Sequence, residues 1–103
     1  MRKKKISGNQ DRIIRKNIIE ALRELTYDPI NHHPAKFFNN EGYFRPKAIE
    51  LQALKVAEET GRAMNLPKST LRSKVLQTMN HYHDLGEVKY AFGKVETLYR
   101  ATK

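Results

Sequence analysis

The chain has 103 residues and contains no cysteine and no tryptophan. Without thiols it has neither a disulfide framework nor a thiolate metal site, which fits a reducing compartment. It also lacks long apolar runs, and no stretch approaches the roughly 20 residues that span a bilayer. Met1 to Lys5 is charged, but no apolar segment of the secretory kind follows it. These absences predict a soluble cytoplasmic protein with no membrane role. Recognisable catalytic patterns are missing as well: there is no cysteine nucleophile, no G-x-S-x-G, no P-loop and no G-x-G-x-x-G. The acidic residues sit mostly beside Lys or Arg on polar faces, as in ordinary surface pairing, so neither an enzyme nor a cofactor is expected. His32 and His33 are adjacent, and His81 and His83 are two apart on a helix. A helical zinc pair prefers a spacing of three or four, so no metal site is expected.

Acidic residues are themselves scarce. Eleven Asp and Glu face 20 Lys and Arg, a formal charge of +9. Arg2, Lys3, Lys4 and Lys5 carry four of those charges, leaving +5 for the rest. A surplus of this size favours polyanionic partners, nucleic acid or an anionic surface, over a merely solvated basic surface. The length suits one domain.

Residues 1–8 read as a flexible basic arm and residues 9–103 as the folded domain. Ser7 or Asn9 can cap a first helix from Asp11 to Leu25, striped by Ile14, Ile18, Ala21, Leu22 and Leu25 and widened by Ile13 and Ile19. Residues 26–45 hold Pro29, Pro34 and Gly42, which argue against a long helix. They also hold Tyr27, Ile30, Phe37, Phe38, Tyr43 and Phe44. A short helical turn near Ala35 to Phe38 and an extended piece at Tyr43-Phe44 are expected. Pro46 suits the first turn of a second helix. Its inner side is drawn by Ile49, Ala53, Leu54, Ala57, Gly61 and Met64, with Gly61 read as a point of close helix approach. Pro67 opens a third helix, residues 66–85, striped by Leu71, Val75, Met79, Tyr82 and Leu85 and stopped by a left-handed Gly86.

Beyond Gly86 the apolar period changes from 3.6 to 2. With Gly93-Lys94 as a two-residue type II′ turn, the 87–101 hairpin pairs Phe92 with Val95, Tyr90 with Thr97, Val88 with Tyr99 and Glu87 with Arg100. The fold class is therefore mainly α with a small antiparallel β-hairpin.

That order, and the segment LPKSTLRSKVLQTMNHYHDLGEVKYAFGKVETLYRATK, resembles the winged helix-turn-helix domain, three helices plus a wing, over roughly residues 9 to 102. Two features depart from the family pattern. The third helix is about one turn longer than usual, and four extra residues separate the A-x-x-x-G of Ala57 to Gly61 from the next helix. The resemblance implies duplex DNA binding, either sequence-specific or shape-dependent, by a transcriptional regulator associated with the nucleoid. The third helix would read the major groove and the hairpin would lie on the backbone. Counting 100° per residue from Leu71 puts Ser69, Ser73, Gln77 and Asn80 opposite the buried side, flanked by Thr70 and Arg72. These six are the base-contacting candidates, since Arg reads guanine and Gln or Asn reads adenine. Leu76 falls among them, to touch a thymine methyl, pack on the second helix or join a dimer contact. Lys68, Lys74 and Lys94, with Arg2, Lys3, Lys4 and Lys5, are the phosphate-contacting candidates. Double-stranded DNA is the expected partner, with a homodimer through residues 26–45. The alternatives are RNA binding of the ribosome-associated winged-helix type and a protein-interaction adaptor.

Overall fold

A computed structural model describes residues 8–28 and 42–102. Among these residues three helices, α1 (Gly8–Tyr27), α2 (Pro46–Thr60) and α3 (Lys68–Asp84), precede an antiparallel hairpin of β1 (Val88–Phe92) and β2 (Thr97–Ala101). This is the mainly helical, helix-plus-wing arrangement that the periodicity predicts. The arm residues Arg2, Lys3, Lys4 and Lys5, the Ser7 cap, and the turn expected at Ala35 to Phe38 lie outside the described residues. So does most of the segment proposed for dimerisation.

α1 begins earlier than expected. Gly8 and Asn9 are already helical, so Asn9 is not the cap. Its buried stripe is Ile14, Ile18, Ile19, Ala21, Leu22 and Leu25, joined by Asn17. Asn17 is fully buried, and its Nδ2 donates to the Arg62 carbonyl at 2.9 Å, tying α1 to the α2–α3 connection. Pro46 occupies the first turn of α2, where its missing N–H leaves nothing unpaired.

Gly61 does not mark a close helix approach. It sits just past α2 with φ 69°, and a Cβ there would meet nothing within 4 Å. The Gly61 N–H donates to the Glu58 carbonyl and the Arg62 N–H to the Ala57 carbonyl, a Schellman closure that needs a residue tolerant of positive φ. α3 ends the same way: Gly86 has φ 76°, its N–H donates to His83, and Glu87 donates to Tyr82. α2 therefore stops at Thr60, and Met64 enters the core from the connecting segment. Leu54, expected on the inner side of α2, is exposed, and its place is taken by Val56 and Gln52. Leu85 is also exposed, because the chain turns away from the core at the end of α3.

The extended piece at Tyr43-Phe44 is present as a one-residue bridge on the far side of β2. Phe44 and Tyr99 exchange N–H···O bonds of 2.7 and 2.9 Å, so the strand order is β1, β2, Phe44. Phe44 is 1 % exposed and belongs to the core cluster of the single chain, with Tyr99 as its bridge partner.

The hairpin register differs from the expected one by two residues. Val88 faces Ala101, Lys89 faces Arg100, Tyr90 faces Tyr99, Ala91 faces Leu98 and Phe92 faces Thr97. A shift of two preserves every side chain's face while changing its partner, so the alternation in the sequence cannot distinguish the two registers. Tertiary anchors distinguish them. The Ala101 N–H donates to Thr26 Oγ1 of α1, and Phe44 holds Tyr99. Glu87, expected opposite Arg100, pairs with Arg23 of α1 at 3.0 Å.

The turn consequently has four residues, 93–96, closed by the Gly93 N–H on the Glu96 carbonyl at 2.8 Å. Gly93 is not among the glycines with positive φ, so this is not the type II′ turn expected. Glycine is required there for space, since a Cβ would stand 2.6 Å from the Glu96 carbonyl oxygen.

Candidate nucleic-acid interface

α3 turns Leu71, Val75, Thr78 and Met79 inward. The opposite face is open, with Ser69, Ser73, Gln77 and Asn80 all exposed and Thr70 half-buried beside them. Leu76, 38 % exposed, lies in the same arc. From Lys68 to His83 the helix carries no acidic residue; the first is Asp84 at its last position. The structure thus brings five of the six base-contacting candidates onto one polar face without a carboxylate.

Arg72 is placed differently. Its Nε donates to Glu50 of α2, whose side chain is only 8 % exposed, while the Arg72 side chain stays 40 % exposed. The guanidinium is therefore both a structural partner and a group at the edge of the open face. Lys74, expected on phosphate, is committed to α1: its Nζ lies 2.8 Å from Asp11 Oδ1 and the side chain is largely covered. Hydrogen bonding to Lys74 holds the Asp11 carboxyl below its ordinary range, against a smaller opposing effect of burial and with help from the Lys74 and Arg15 charges. Lys68 and Lys94 are exposed as expected.

Three further acidic residues near this region are also engaged, whereas Asp84 at the end of α3 stays 85 % exposed. Glu20 pairs with Arg62, Glu87 with Arg23, and Glu96 with Arg45 at 3.1 Å. Cross-element pairing thus neutralises carboxylates that would otherwise repel a polyanion, and leaves lysines unpaired at the periphery. Among the described residues Lys16, Lys68, Lys89 and Lys94, with Arg12, show no carboxylate partner.

Sequence reasoning missed two basic features. Lys89 and Arg100 stand directly across the hairpin, an arrangement of like charges that destabilises an isolated sheet. Arg100 also lies over the Tyr43 ring, 5.8 Å from its centroid. Along α1, Arg12, Arg15, Lys16 and Arg23 line a cavity of about 410 Å³ with Ile19, Glu20 and Tyr82. The spacing of these four basic residues was visible as a stripe, but its position beside α3 depends on how the two helices pack. Among the described residues no group of three or more His, Asp or Glu side chains is placed to hold a metal ion. None of the described helices is long and apolar enough to cross a membrane.

No protein family, curated protein or solved structure matches the chain.

Proposed function

We propose that this protein binds duplex DNA as a winged helix-turn-helix regulator of transcription, working in the cytoplasm on the nucleoid. The observation that carries the reading is the exposed face of α3: Ser69, Ser73, Gln77 and Asn80 in one stripe, Arg72 at its edge, and no carboxylate before Asp84. Small polar side chains let a helix approach base edges closely, and Gln77 and Asn80 have the donor and acceptor pair that reads adenine. Lys68 and Lys94 supply phosphate contacts at the start of α3 and at the wing turn. The surplus of 20 basic over 11 acidic residues supports the same partner.

Fluorescence anisotropy on a random-sequence duplex tests the reading. Binding is expected at low salt and should weaken as log Kd rises linearly with log salt, with a slope near 0.9 per neutralised phosphate. Lys68→Ala and Lys94→Ala should each lower that slope by about 1. Absence of duplex binding at low salt overturns the proposal. Stronger competition by structured RNA than by duplex would transfer the role to RNA, which is read by shape and phosphate.

A further inference from the structure

The hairpin tip carries an apolar surface that the fold does not use. Phe92 is 84 % exposed and Val95 87 % exposed, on either side of Gly93-Lys94. Val88, the first of the alternating apolar residues on β1, reaches the core; the last, Phe92, extends beyond it.

The tip is braced from behind. The Gly93 N–H closes the loop on the Glu96 carbonyl, and Arg45 at the start of α2 holds the Glu96 carboxylate at 3.1 Å. A row of rings runs up to it. His83, at the end of α3, packs on Tyr90 with centroids 4.7 Å apart, and Tyr90 meets Phe92 edge-on at 5.5 Å. The row begins at His83, itself exposed in the last turn of α3.

We infer that the wing tip is an apolar wedge, in which Phe92, with Val95, inserts between stacked bases of the bound duplex and kinks it. This inference rests on the duplex-binding reading above. Charge decides the occupant. Lys94 within the tip and Lys89 along β1 are exposed and without carboxylate partners among the described residues, and Arg45 neutralises the one acid in the turn, Glu96. An apolar tip that carries Lys94 and no free carboxylate suits a base step enclosed by phosphates, where proteins insert Phe, Leu or Ile side chains and kink the helix. A second copy fits poorly, because an isologous tip-to-tip contact would bring Lys94 against Lys94.

The experiment uses the full chain with a duplex bearing 2-aminopurine at successive positions and a donor–acceptor pair at its ends. Wild type should raise 2-aminopurine emission at one step and bend the duplex by roughly 20–90°. Phe92→Ala should abolish both effects while weakening affinity by less than about tenfold, because phosphate contacts remain. Phe92→Leu should restore the bend and Val95→Ser should reduce it. Phe92 is exposed, so an unchanged circular dichroism melt is expected for Phe92→Ala. If wild type binds without unstacking or bending, or if Phe92→Ala bends DNA as wild type does, the wedge is overturned and duplex binding stands. If Phe92→Ala instead converts a sedimenting dimer to a monomer with no change in the DNA, the tip joins two copies and the wedge is also overturned. Failure of wild type to bind any duplex at low salt removes both readings.

Discussion

α1 and α3 pack against each other at similar length, 20 and 17 residues, but they bury apolar stripes of different width. α1 buries Ile14, Ile18, Ile19, Ala21, Leu22 and Leu25, so apolar area removed from water dominates its docking, with Glu20–Arg62 and Arg23–Glu87 at its edges. α3 buries only Leu71, Val75, Thr78 and Met79, and is flanked by two ion pairs, Lys74 with Asp11 on α1 and Arg72 with Glu50 on α2. A narrower apolar stripe leaves more of the helix surface available, and the charged groups at its two edges orient it. The difference shows how a helix can be docked firmly while most of its circumference remains free for a ligand.

The contrast can be tested through stability, starting with the largest effect. Leu22→Ala in α1 removes a fully buried side chain and should cost about 2–5 kcal/mol, read as a lower urea midpoint at unchanged slope. Loss of less than 1 kcal/mol would mean that α1 is not the apolar anchor. Gly93→Ala places a Cβ against the Glu96 carbonyl and should cost about 1–3 kcal/mol, with faster amide exchange confined to β1 and β2. If α3 reads bases, Gln77→Ala should leave stability within about 0.5 kcal/mol of wild type. It should also reduce discrimination at one base pair by about 1–3 kcal/mol in competition binding. Arg72→Ala is a poorer probe of the same face, since it also strands the covered Glu50 carboxylate.

The smallest effect is the Asp11–Lys74 coupling. A double-mutant cycle with Asp11→Asn and Lys74→Met should give about 0.3–1 kcal/mol at neutral pH. The folded Asp11 pKa is depressed, so its contribution is present above the unfolded pKa and is lost as pH falls through the folded value. The coupling should accordingly vanish as pH falls below the ordinary carboxylate range, once Asp11 is protonated in the folded state as well. A coupling that instead grows in acid would rule out this pair as the α1–α3 clamp.

Particular residues show how far the sequence could be read. Gly86 was legible because a period-3.6 stripe ends just before it and a period-2 stripe starts just after. Gly61 has the same conformation and the same pair of cap hydrogen bonds, yet it reads as an interior glycine because Met64 continues the apolar spacing beyond it. Val88 and Phe92 look alike in alternation, but only Val88 lies over the helices, and no local pattern encodes that limit. On α3, Ser69, Ser73, Gln77 and Asn80 could be placed by angle alone. The pairing of Arg72 and Lys74 could not, since Glu50 and Asp11 are 22 and 63 residues away in the chain.

Periodicity, glycine and proline placement and charge balance were enough to determine the three helices and hairpin of the described residues, the open face on α3 and the basic net charge. These are local properties, set by how often apolar side chains recur and by which residues tolerate positive φ. The tertiary structure alone decided the hairpin register, the projection of Phe92 and Val95 into solvent, and which cations are bound to carboxylates. A two-residue slip leaves every side chain on its predicted face, so only contacts such as Tyr99 with Phe44 and Ala101 with Thr26 could choose between the registers.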